Sequence, residues 1–287
     1  MAETTRIRRE TGPVAADFTI DQRWDAYSAD EHVRWDQLTE RMMSILPGRA
    51  CRQFMTATET LKLSEGGIPD FKRLSDRLEA RTGWRVVGVP GLVPDEVFFD
   101  HLANRRFPAG CFIRDADEMD YIEEPDVFHD VFGHVPLLAD PVYADFMEAY
   151  GKGGLRALSR NGLANLARLY WYTIEFGLIR EDGGLRLFGA GIMSSPTETV
   201  FALEDPSPNR IEFDLERVMR TNYRIDDFQQ TYFVIDSFDD LLNTAMQDFG
   251  PLYDRLADGE SYPPEAVLGA DAVLTRGTQA HFKPRAA

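Results

Sequence analysis

The sequence predicts one mainly helical (α+β) domain with a few short strands. Three observations carry this. Apolar positions recur mostly at helical spacing, the strand-like runs are short and few, and no repeat, low-complexity block or linker divides the 287 residues. An apolar share of 44%, with 19 Phe, 10 Tyr and 4 Trp, is enough to fill one large core.

Residues 1–20 are expected to form a flexible arm, 21–260 the folded domain, and 261–287 an irregular tail with room for one short strand. Val33, Leu38, Met42 and Leu46 predict a helix over 30–46, closed by Gly48. A shorter helix follows over 51–63. Phe71, Leu74 and Leu78 predict a third over 70–82, ended by Gly83. Residues 84–89 read as a strand. Pro94, Asp95 and Glu96 open a helix through 102, and 107–113 read as a loop or short strand. Asp140 and Pro141 start a helix to about 150, which Gly151, Gly153 and Gly154 are expected to interrupt. Residues 162–179 predict the most apolar helix of the chain. A strand or hairpin arm over 185–192, short helices over 197–203 and 213–219, and a strand over 231–235 come next. Ser237, as N-cap, opens a last helix to about 256.

The formal net charge of −17 argues against nucleic acid and against docking on an anionic membrane, since both need a basic surface. No apolar run approaches the roughly 18 residues of a membrane span, and residues 1–16 lack the apolar stretch of a secretory signal. Cys51 and Cys111 stand alone, without CxxC, which fits a reducing cytoplasm better than a disulfide framework.

The chemistry concentrates in PDVFHDVFGHVP over 125–136, which holds two of the five histidines. Glu124, Pro125 and Asp126 read as a helix start, and Gly133 and Pro136 as its stop. Residues five apart on a regular α-helix are separated by about 140°, against about 40° for four apart. His129 and His134 therefore meet one metal only where the helix ends or distorts between them. Glu175 is the candidate third ligand. Its helical neighbours are Trp171, Tyr172, Leu178 and Ile179, and an unpaired carboxylate on such a face is costly. A metal removes that cost; so does an ion pair with Arg168 or Arg180. Two imidazoles and a carboxylate with open positions serve non-haem Fe(II) oxygenases and also catalytic zinc. The metalloprotease signature HExxH is absent, and ligand type alone leaves both metals open. The glycines at 151–154 do not form a P-loop, and Gly189 and Gly191 do not form a dinucleotide fingerprint.

These stretches resemble the pterin-dependent aromatic amino acid hydroxylases. PDVFHDVFGHVPL over 125–137 is similar to that family's iron motif, YWYTIEFGL over 170–178 to its glutamate-ligand helix, and GAGIMSS over 189–195 to its active-site strand and turn. The similarity runs from about 84 to 249. It implies the aromatic amino acid hydroxylase fold, with Fe(II) on His129, His134 and Glu175. Tetrahydrobiopterin or a related tetrahydropterin and O2 would be co-substrates, and an aromatic amino acid the substrate. In size the chain is similar to the bacterial members that convert phenylalanine to tyrosine. Tryptophan or tyrosine as substrate, a zinc hydrolase on the same ligands, and a binding domain without turnover are the rival readings.

The resemblance also implies roles by position. Arg114 would hold the substrate carboxylate bidentately; the alternative is a surface ion pair with Asp115 or Asp117. Trp171 would line the ring pocket, and Tyr170 and Pro125 the same cavity. Ser194 would support a histidine ligand or touch the substrate, unless it is a plain turn serine before Pro196. Phe98 would stack on the pterin, with Phe99 competing for the register. Asp130 would stand beside the pterin, unless it is a solvated acid. Ile122 occupies a position that is usually threonine in animal members, and Pro108 one that is histidine in those acting on phenylalanine. Ile225 stands where tyrosine hydroxylases carry an acid. With no long heptad helix near the C-terminus, a monomer without substrate-activated allostery is expected.

Overall fold

Ser28 sets where the chain first becomes helical. Its side chain accepts from the Glu31 amide while the Glu31 carboxylate accepts from the Ser28 amide, a reciprocal cap. The computed structural model describes residues 12–282 except 121, 123, 161 and 258. From that cap runs α1 (Ala29–Ile45), burying Trp35, Leu38 and Met42, followed by α2 (Arg52–Leu61) and α3 (Phe71–Thr82). Strand β1 (Arg85–Val89), α4 (Asp95–Ala103) and β2 (Arg106–Gly110) come next. The segment expected as loop or strand is thus a strand, parallel to β1 with Val86 opposite Phe107.

A wide π-helix (Phe128–His134) and a 3₁₀ turn (Pro136–Ala139) lead into α5 (Pro141–Ala157). The expected break at 151–154 does not occur. Gly151 and Gly154 let α5 lie against α4: a Cβ at Gly151 would stand 2.4 Å from the Ala103 nitrogen, and one at Gly154 2.0 Å from the Phe99 ring. Close packing of two helices, not chain reversal, explains the glycines.

Helix α6 (Leu163–Tyr170) widens into a π-turn (Trp171–Glu175) and stops there, short of the expected end at 179. Leu178 and Ile179 belong to β3 (Leu178–Glu181), which pairs antiparallel with β4 (Gly184–Leu187) and parallel with the central strand. The arm expected to 192 ends at Leu187, and α7 (Ala190–Met193) is a single helical turn. After α8 (Pro196–Glu204) comes β5 (Asn209–Glu212), which the sequence reading missed because Arg210 looks like a surface residue. It is buried, with its guanidinium donating to the Ala202 and Asp205 carbonyls. Helix α9 (Leu215–Arg220) precedes β6 (Thr231–Ile235), all five of whose residues are buried. That continuous apolar run suits a central, parallel-paired strand. The expected last helix is two, α10 (Phe238–Ala245) and α11 (Gly250–Ala257), with the Asp248 carboxylate accepting from the Gly250 amide at the break. With β7 (Val273–Thr275), the second sheet runs β4-β3-β6-β5-β7.

Within the stretch read as a flexible arm, Ile20 bridges to Gly88 and the Asp17 carbonyl accepts from His101. Residues 1–11 and 283–287 lie outside the described residues. The tail is tied down by Arg217, which is buried, donates to Asp271 and the Ala266 carbonyl, and lies 5.5 Å and 5.0 Å from the Phe233 and Tyr262 ring centres. Arg217→Ala leaves the Asp271 carboxylate buried without its partner. A cost of about 3–5 kcal/mol is expected, read as a fall in Tm of about 10 °C; an unchanged melt would show that the tail contributes nothing to the fold.

Candidate active site

The two histidines meet because the helix that carries them is wide. In a π-helix, hydrogen bonds close over five residues, so residues five apart come round to one side. His129 and His134 thereby bring their Nε2 atoms to 3.2 Å. The distortion expected at one glycine is spread over the whole element. The same device presents Glu175: the Phe176 amide donates to the Trp171 carbonyl, five residues back, at 2.8 Å. The Glu175 oxygens lie 3.2 Å from His134 Nε2 and 3.7 Å from His129 Nε2. Gly133 has a second use. A Cβ there would stand 2.9 Å from the Ala190 carbonyl, so its absence lets α7 press against the wide helix and bring Ser194 to His129.

Ser194 Oγ donates to the Ala190 carbonyl at 2.9 Å and lies 3.0 Å from His129 Nδ1. Its one proton is thus used, so Nδ1 carries the hydrogen and the Nε2 lone pair faces the cluster. Burial pushes the His129 imidazole down to about 4, leaving it neutral at pH 7. Burial alone would raise the Glu175 carboxyl, but His134 and His129 outweigh it and hold it at about 2. His134 Nδ1 is buried with no partner among the described residues, and its ring lies against Phe107 at 5.0 Å. The three donor atoms lie within 4.8 Å of one another. Ligands on one first-row metal ion sit about 3.0–3.4 Å apart. Two imidazole nitrogens, that of His129 on a neutral ring, and an ionised carboxylate at these separations fit such an ion.

Two cavities meet at this cluster. The larger, about 520 Å³, is lined by Arg114, Pro125, Trp171, Ser194, Glu198 and Gln229. The smaller, about 280 Å³, is lined by Phe98, Phe107, Pro108, Asp130, His134 and Tyr170. His129 and Glu175 border both. A larger groove of about 850 Å³, between residues 17–26 and 70–88, borders none of the three clustered residues.

The family of biopterin-dependent aromatic amino acid hydroxylases matches residues 4–256. The chain belongs to this family. It is 62% identical over 265 residues to phenylalanine-4-hydroxylase of Caulobacter vibrioides, covering 92% of this chain and 90% of that one. It is 53% identical over 274 residues to the Chromobacterium violaceum enzyme, covering 96% and 92%. A crystal structure of the latter with iron and phenylalanine bound superposes with a TM-score of 0.87 at 52% identity, covering 91% of this chain and 95% of that chain. A cobalt-bound form gives 0.89 at 54%, covering 91% and 94%. The mainly helical expectation with few strands agrees with this hydroxylase fold.

In this hydroxylase, Arg114 is buried and does not pair with Asp115 or Asp117 on the surface. Its Nε and Nη2 donate to the two oxygens of Asp126, both at 2.9 Å. Asp126 also accepts from the amides of Arg114 and His129. Asp126 is expected only at a helix start, because a fully buried acid cannot be told from an exposed one by its letter. Phe98 and Phe99 separate cleanly. Phe98 borders the smaller cavity, its ring edge-on to Tyr170 at 5.9 Å, while Phe99 packs in the core against Tyr150. Asp130 is half-buried and accepts from the Gly110 amide at 2.7 Å; burial raises its carboxyl to about 7. Tyr170 corrects an expectation: it lines the smaller cavity, not the one that holds Trp171, because the π-turn begins between them. Pro125 borders both. Ile122 lies in the wall of the larger cavity, and Ile225, highly exposed, at its edge. Gln229, Glu198 and Tyr223 were not anticipated, since no motif marks them.

Proposed function

We propose that the chain hydroxylates L-phenylalanine at C4 to give L-tyrosine, using O2 and a tetrahydropterin at an Fe(II) centre held by His129, His134 and Glu175. The observation that carries this is the meeting of two separate cavities at one His-His-Glu cluster, which suits two organic reactants served by one metal. When bound, iron and tetrahydropterin would activate O2, one atom of which enters the ring while the other leaves with the pterin, which supplies the two electrons. The protein binds, orients and keeps water out. Arg114 Nη1 has no partner among the described residues, and this edge of the fork receives the substrate carboxylate. Trp171 and Pro125 flank the substrate ring. Phe98 offers its face to the pterin, and Asp130 a carboxyl held by the Gly110 amide. Ser194 keeps the His129 proton on Nδ1.

The test is tyrosine formation from phenylalanine, tetrahydropterin and O2 by metal-free protein reloaded with Fe(II) or with Zn(II), beside His129→Ala. Tyrosine from the iron form alone, dependent on pterin and lost in the variant, is expected. Turnover of another substrate by the zinc form without O2 would replace this reading with a hydrolase. Ser194→Ala is expected to weaken Fe(II) affinity about 10–100-fold by freeing the His129 tautomer; titration with unchanged affinity would leave Ser194 a turn residue. The chain is read as a cytoplasmic monomer, and sedimentation as a dimer or tetramer would overturn the second term. Among the described residues no helix is long and apolar enough to cross a membrane.

A further inference from the structure

The larger cavity has a wall whose position depends on one hydrogen bond. Trp171 stacks on Tyr223, with ring centres 4.4 Å apart and planes 15° from parallel, and lies 4.7 Å from Phe176. Stacking between flat rings is broad in energy, so it holds the distance between planes but lets one ring slide over the other. A hydrogen bond is directional and stops that motion. The indole Nε1–H donates to Gln229 Oε1 at 2.9 Å.

Gln229 is itself held rigidly. It is 2% exposed, and its side-chain NH2 donates to the Arg224 carbonyl at 3.1 Å. That carbonyl can only accept, which fixes the amide with its oxygen toward the indole. The Gln229 backbone amide points at Glu198 Oε1 at 3.4 Å, and the same oxygen accepts from the Tyr232 hydroxyl at 2.6 Å. Tyr232 stands on β6, the central strand, and is wholly buried. A continuous chain of polar contacts thus runs from the middle of the sheet to the edge of the indole.

We infer that Gln229 is the positioning residue that sets the width of the substrate-ring slot, by fixing the in-plane position of Trp171. This rests on the hydroxylase reading above. A slot held to one width accepts a single benzene ring and discriminates against the larger indole of tryptophan. Without the tie, the indole N–H loses its partner, the ring slides over Tyr223, and the slot admits the wider substrate.

The experiment compares kcat/KM for phenylalanine and tryptophan in wild type, Gln229→Met, Gln229→Glu, Trp171→Phe and the Gln229→Met/Trp171→Phe double variant, with iron content measured for each. Gln229→Met, near in volume but without the oxygen, is expected to lower the preference for phenylalanine about tenfold, the order set by fit in an apolar pocket. Iron content should not change. Gln229→Glu keeps an oxygen for the indole but loses the donor to the Arg224 carbonyl, so its preference falls between those of wild type and Gln229→Met. Trp171→Phe removes the donor from the other side and shows a comparable loss, and adding Gln229→Met to it changes the preference no further. An unchanged preference in either single variant overturns the inference, as does an equal further loss in the double variant. Absence of tyrosine formation by the wild type would instead overturn the hydroxylase reading, so the two failures are distinct.

Discussion

Glu175→Ala is expected to abolish iron retention and tyrosine formation while leaving the chain folded. The carboxylate faces two imidazoles and carries the only negative charge among the three clustered donors. Removing a group that merely supports a metal ligand costs about 10–100-fold, so removing a ligand should cost roughly 10³-fold or more in activity. The fold does not depend on this side chain. The π-turn that presents it is closed by backbone bonds, such as that from the Phe176 amide to the Trp171 carbonyl. Far-UV circular dichroism should therefore be unchanged. Glu175→Gln keeps the shape and loses the charge, and the same loss of iron is expected. Full iron content and activity in either variant would remove Glu175 from the metal site.

Much of this site was legible in the sequence, for identifiable reasons. Helices whose core face repeats at regular spacing, such as α1 and α3, lie within a residue or two of their expected ends. The five-residue spacing of His129 and His134 demanded a departure from α-geometry, and a departure is present. Its form, a π-helix, could not be read, because hydrogen bonding over five residues leaves no mark in composition. The glycines at 151–154 misled for the opposite reason. A glycine that breaks a helix and one that lets a neighbour approach are the same letter, and only α4 lying alongside decides between them. Buried charged or polar residues outside the recognised motifs were missed or given a surface role. Arg210 inside β5, Asp126 beneath Arg114 and Gln229 behind Trp171 are each buried because groups outside their own segment satisfy them. The partners of Gln229 and Arg210 also lie on other elements, so only the folded chain shows them.

Arg114→Lys is expected to raise KM for phenylalanine about 10–100-fold while changing KM for the pterin by less than about twofold. The guanidinium has two jobs. One edge satisfies Asp126, which is fully buried and also accepts from the His129 amide; the other faces the larger cavity. Lysine keeps the charge that Asp126 requires but offers a point in place of a fork, so it cannot serve both partners in geometry. The loss of one charge-assisted hydrogen bond, about 1.5–3 kcal/mol, gives the expected factor. Arg114→Ala differs in kind. It strands the Asp126 carboxylate, which should destabilise the fold by about 3–5 kcal/mol, and it loosens the start of the helix that carries His129. The alanine variant alone therefore mixes substrate binding with collapse of the site. The lysine variant separates them: a selective rise in phenylalanine KM at near-normal Tm and iron content assigns Arg114 to the substrate carboxylate. Equal losses for phenylalanine and pterin would confine Arg114 to holding Asp126 and, through it, the metal-bearing helix.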